Sequence, residues 1–123
     1  MKIFEWIDEH GVGVVTGWKL QASQRSKLDA KIDMLVRAVV DPVTRKANLP
    51  PDLLVGPGFH GQQFIYKLKA RGNVQLRPML CLGPGNLNEW TILYPSTEKD
   101  DLLIPANAAA LATSRRKIDA VSC

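Results

Sequence analysis

The sequence predicts an α+β domain in which helices lie against an antiparallel sheet. Two observations carry this. Residues 28–39 repeat apolar side chains at helical spacing, and residues 63–94 hold three short runs of strand character separated by turn residues. Strands grouped together with helices outside them give α+β layers, with the helices on one face of the sheet. The chain has 123 residues and 46% hydrophobic content, which suits one compact domain with a core. Residues 1–123 therefore read as a single domain.

The first run, "KIFEWI", can start an edge strand. "GVGVVTGWKLQ" is ambiguous, because Val12, Val15 and Trp18 sit at helical spacing while three glycines weaken a helix. From Ser23 the signal clears. Leu28, Ile32, Leu35, Val36 and Val39 follow one helix face, with Lys27, Lys31, Asp33 and Arg37 elsewhere. Ser23 is the expected N-cap, and Asp41-Pro42 the expected stop. Residues 43–62 read as a connection rich in turn residues. Strands are expected at 63–70, 74–82 and 89–94, the last two separated by "GPGNLN". "TEKDD" then leads to Pro105, a good first-turn residue for a closing helix whose apolar face would hold Ile104, Ala108, Leu111 and Ile118.

Composition excludes several classes. No apolar run reaches the roughly 18–20 residues a membrane span needs. Acids interrupt "MKIFEWIDEH", so it does not read as a signal peptide. Cys81 and Cys123 have no metal-like spacing and read as free thiols of a reducing cytoplasm. "GPG" occurs at Gly56–Gly58 and again at Gly83–Gly85, without the spacing or the Lys of a phosphate-binding loop. No Gly-x-Ser-x-Gly elbow and no metal-ligand cluster is present, so neither a cofactor nor a metal is expected.

The charge points elsewhere. The net charge is +4, and between Phe59 and Trp90 stand Lys67, Lys69, Arg71 and Arg77 against one acid, Glu89. A second basic cluster, Arg115-Arg116-Lys117, follows near the C-terminus. Such asymmetry is the footprint of a polyanion partner, and it suits an acidic protein equally. In a strand Phe64, Tyr66, Leu68 and Ala70 share one face, and Ile65, Lys67, Lys69 and Arg71 the other. A two-residue loop at Gly72-Asn73 would set Arg77 opposite Leu68 on the core face; an odd loop or a bulge pairs it with Lys69. The odd loop is the better reading, and it gathers Lys67, Lys69, Arg71 and Arg77 on one cationic surface. The same alternation also describes an ordinary solvated sheet face. Pro78, directly after Arg77, argues for an edge or a bulge there.

Several segments in order resemble the RelE/ParE superfamily of toxins from toxin–antitoxin pairs, most nearly its phage-associated, HigB-like branch. These are Trp18 with "QRSKLDAKIDML", "IYKLKARG", "VQLRPMLC", "EWTILYPSTEK" and "ATSRRKID". The resemblance implies two N-terminal helices packed on a curved antiparallel sheet and a closing C-terminal helix. It also implies a cytoplasmic, ribosome-dependent, metal-independent mRNA endonuclease, neutralised by an antitoxin that is expected to be a small helix-turn-helix protein. In such an enzyme a 2′-hydroxyl attacks the adjacent phosphate and expels the 5′-oxygen, so a base, a charge clamp and an acid are needed. By position, Arg77 becomes the phosphate clamp, Lys69 a base if crowding cations depress its pKa, and Lys67 and Arg71 holders of the RNA backbone. Lys99 would stabilise charge or protonate the leaving group. Many relatives carry paired basic residues where this chain has Glu98-Lys99; Glu98 is either a general base or the partner of Lys99. His60, just before the cationic strand, is a further RNA-site candidate. Two other functions fit the same resemblance: a ParE-like, non-nuclease inhibitor of DNA gyrase, and a catalytically silent phage- or plasmid-derived binding module.

Overall fold

The computed structural model describes residues 2–37, 39–40, 43, 47–48, 52–83 and 89–116. The chain is mixed α+β. Its elements are β1 (Lys2–Glu5), α1 (Ala22–Val36), β2 (Val39–Val40), β3 (Ala47–Asn48), β4 (Leu54–Val55), a 3₁₀ turn at Phe59–Gly61, β5 (Tyr66–Leu68), β6 (Gln75–Leu76), β7 (Met79–Leu82), β8 (Glu89–Tyr94), β9 (Thr97–Lys99), β10 (Leu102–Ile104) and α2 (Ala108–Arg115). The main sheet runs β1-β8-β7-β5-β4; a smaller one runs β10-β9-β6, and β2 pairs with β3. All pairings are antiparallel except β1 with β8.

The main sheet is covered on both faces, not one. Leu28 and Leu35 of α1 pack with Tyr66, Leu68, Ala70, Leu80, Leu82, Trp90 and Ile92. On the opposite face Ala108, Ala109 and Ala112 of α2 pack with Ile65, Met79, Cys81, Leu93 and Leu103. The cause is legible in β7: "MLCL" is apolar at every position and buried at every position, as befits a strand with a layer on each side. The α2 face is built of alanines, so the helix backbone approaches the sheet closely. A register shift between Met79 and Leu80 in the β7–β8 pairing marks a bulge. Through it the successive residues Leu93 and Tyr94 both reach the α2 side.

The expected "KIFEWI" edge strand forms as β1 at the margin of the main sheet. Two N-terminal helices do not. Residues 12–18 form turns instead of a helix, because side chains tie down their ends. The Glu5 carboxylate accepts from Val15 N, Thr16 N and Thr16 Oγ1 at 3.0, 3.0 and 2.8 Å. Arg25 Nη1 and Nη2 donate to Val15 O and Trp18 O at 2.6 and 2.5 Å. Helix α1 starts earlier than Ser23 suggests: Gln21 is its N-cap, in a reciprocal capping box with Gln24. It also ends earlier, at a C-cap on Arg37, so Val39 belongs to β2; Asp41 and Pro42 lie outside the described residues.

The strand expected at 74–82 is two strands in two sheets, broken at Arg77-Pro78. Pro78 lacks the N–H that a continuous ladder would use. "TEKDD" is not a lead-in to a helix but the β9–β10 hairpin, turning on Asp100 and Asp101 at φ 53° and 63°. Ile104 consequently sits in β10 and is exposed, Pro105 precedes α2, and Ile118 lies outside the described residues. The expected pair of free thiols is corrected as well: Cys81, buried under α2, is disulfide-bonded. Cys123 lies outside the described residues. Among the described residues no helix is long and apolar enough to cross a membrane.

Candidate functional site

The cationic strand is where the parity argument leads. Tyr66↔Leu80, Lys67↔Met79 and the isolated bridge Ala70↔Leu76 fix one continuous register. In it Arg77 lies opposite Lys69, as an odd connection requires. Tyr66, Leu68 and Ala70 turn to α1, so Lys67, Lys69 and Arg77 share the other face.

That face is not an open cationic surface. Lys67 Nζ donates to Glu98 Oε2 at 3.0 Å, and Arg77 Nε stands 3.5 Å from Glu98 Oε1. The Arg77 side chain is 6% exposed and that of Glu98 16%. Arg77 Nη1 donates to Leu76 O at 2.9 Å and Nη2 to Gln75 Oε1 at 3.0 Å. Its backbone is fixed too: Arg77 N donates to Ser96 O at 2.7 Å, and Ser96 Oγ donates to Arg77 O. The guanidinium expected as a phosphate clamp is thus spent on the protein itself. It holds the corner where β6 passes to β7.

Further along the strand the cations open to solvent. Lys69, 24% exposed at its side chain, lies 3.5 Å from Asp52 Oδ1, and Arg71, 60% exposed, donates to the same oxygen at 3.0 Å. Four cations therefore share two carboxylates. The outer pair, Lys69 and Arg71, meets the more exposed acid. Lys69 thus faces a carboxylate as well as its neighbouring cations.

Of the two readings of Glu98, the pairing with Lys99 does not form. Alternation along β9 sends Glu98 to Lys67 and Arg77 and sends Lys99 to the other face, exposed. Partial burial pushes the Glu98 pKa up, but the hydrogen bond and charge of Lys67, with Arg77 beside them, outweigh it and hold the carboxyl below its ordinary 4.5. It is a carboxylate at neutral pH. His60 stands in the left-handed region at φ 52°, exposed, its ring stacked on Phe59 at 4.1 Å. Lys67 Nζ also approaches Phe59, 4.6 Å from the ring centroid, so Phe59 links the two by contact. The structure brings Lys67, Lys69, Arg71, Arg77 and Glu98 together, sets His60 at their margin and leaves Lys99 apart.

Three members of this site were not singled out from sequence: Asp52, Gln75 and Ser96. Asp52 had a signal, since it is the one acid between residues 42 and 88. Ser96 and Gln75 act through the Arg77 corner, which only the folded chain defines. Among the described residues no group of three His, Cys, Asp or Glu side chains is arranged to hold a metal. The chain matches no protein-family model, no curated protein and no solved structure.

Proposed function

We propose that this protein binds RNA along Lys69–Arg71, the segment that directly follows β5, and cleaves it without a metal, as a toxin of the RelE/ParE type, HigB-like, acting on mRNA at the ribosome and held in check by an antitoxin. The observation that carries the reading is the register that aligns Lys69 with Arg77, gathering four cations around two carboxylates. Positive charge in excess on one strand is a match for a phosphodiester backbone.

The roles differ from those the family resemblance implied. Lys69 and Arg71 are the accessible cations and hold the phosphate; Arg77 and Lys67 position Glu98. In the reaction Glu98, ionised at neutral pH, takes the proton of a 2′-hydroxyl. The freed oxygen attacks the adjacent phosphorus, the bond from phosphorus to the 5′-oxygen breaks, and that oxygen takes a proton from the Lys69 ammonium or from water. The products are a 2′,3′-cyclic phosphate and a 5′-hydroxyl.

The test is induced expression in bacteria with mapping of mRNA 5′ ends. Growth arrest with new cuts inside translated codons is expected. Both should vanish in the double variant Lys69→Gln/Arg71→Gln, whose thermal melt should stay close to the parent's. Arrest without cuts, accompanied by DNA damage, would favour the gyrase reading. No arrest at all would leave a silent binding module.

A further inference from the structure

A second site lies at the opposite margin of the main sheet. An open cleft of about 370 Å³ is bounded by the 6–19 segment on one side and by Pro95 and Arg115 on the other. Its volume falls in the range of small-molecule sites. Trp6 and Trp18 supply aromatic walls, and the charged residues lining it are Asp8, Lys19 and Arg115.

Arg115 is held in an unusual way. Its guanidinium lies 3.9 Å from the Trp6 ring centroid and 4.4 Å from that of Tyr94, so two aromatic rings fix its plane. Nη1 donates to Leu93 O at 2.9 Å. Among the described residues no carboxylate comes within ion-pairing distance of it. Burial pushes its pKa down, against Tyr94 and Asp8, which act in the other direction. The one acid of the cleft is turned to its own loop: Asp8 Oδ1 accepts from His10 N at 2.8 Å and Val12 N at 2.9 Å.

The cleft is also preformed. The 12–18 wall is tied by Glu5 at its N–H groups and by Arg25 at its carbonyls, from β1 and α1 respectively. A site whose wall is already ordered loses less freedom when it binds. We infer that this cleft binds a small planar aromatic carboxylate, its ring against the indoles of Trp6 and Trp18 and its carboxylate on Arg115, with Lys19 at the rim. A planar ring suits aromatic walls, and a carboxylate suits a guanidinium fork that meets no acid within pairing distance.

The three tryptophans make a direct test. In a nitrogen-15 spectrum the indole N–H signals of Trp6 and Trp18 report on the cleft, and that of Trp90, fully buried in the core, is the internal control. Titration with 2-naphthoate is expected to shift Trp6 and Trp18 saturably and leave Trp90 in place. The neutral 2-naphthamide should bind about tenfold more weakly, and Arg115→Gln should remove that preference. No saturable shift up to about 1 mM naphthoate, or equal binding of acid and amide, overturns the inference. Should Arg115→Gln fail to fold, the acid-to-amide ratio on the intact protein decides alone, and a ratio near one overturns it.

Discussion

At the scale of single residues the molecule turns on two carboxylates placed far from their partners in sequence. Glu98 serves Lys67 and Arg77, which would otherwise be buried cations without a counter-charge. Glu98→Gln keeps the shape and removes the charge; a loss of roughly 3 kcal/mol is expected by urea unfolding, toward the low side for a buried pair because its rim meets water. The pH dependence follows from the lowered pKa. The contribution of Glu98 is complete above its unfolded value near 4.5 and is lost as pH falls through the lower folded value. Unfolding midpoints measured across that acid range should fall in the parent and fall less in Glu98→Gln. Glu5 does comparable work for the 12–18 turns. A Cβ on Gly13 would collide with Glu5 Oε1, and the carboxylate could move aside only by abandoning Val15 and Thr16. Gly13→Ala should therefore cost roughly 1–3 kcal/mol in the same assay.

At the scale of elements, how far the sequence could be read depended on whether its neighbours were local. The β5 parity, the need for an odd connection before Arg77, and β8 at 89–94 followed from alternation and turn residues within a few positions. The break at Pro78 was foreshadowed by its missing N–H, but the transfer of β6 to a separate sheet depends on β9, about twenty residues away. The 12–18 segment misled for a related reason. Its valines keep helical spacing, yet Glu5 and Arg25 capture its polar ends from elsewhere in the chain, and no local pattern shows that. The burial of Arg77 was hidden likewise, since an arginine flanked by apolar residues reads the same whether its donors meet water or Gln75 and Leu76. Arg25→Met keeps much of the aliphatic stem and deletes both bonds to the turn carbonyls. A loss of about 1.5–3 kcal/mol is expected, with the amides of 12–18 exchanging faster than those of α1 in hydrogen-exchange measurements.

Across the whole molecule the two cores are joined through β7 and β8. Leu80, Leu82, Trp90 and Ile92 belong to the α1 side, and Met79, Cys81 and Leu93 to the α2 side. Damage to either core is therefore felt by the same two strands. Leu28→Ala, at a fully buried site, should cost roughly 2–5 kcal/mol and shift the unfolding of both layers together. The amides of β7 and β8 should be the last to exchange, and a separate early transition for α2 would refute that coupling.

The parallel pairing of β1 with β8 also sets an order in time. Lys2 finds its partner only at Glu89, and Glu5 only at Ile92. During synthesis β1 emerges ahead of β8 and waits, unpaired, until more than eighty residues have followed it. Partners so distant in sequence slow folding. Until then Trp6 lacks both of the cores against which it packs in the folded chain.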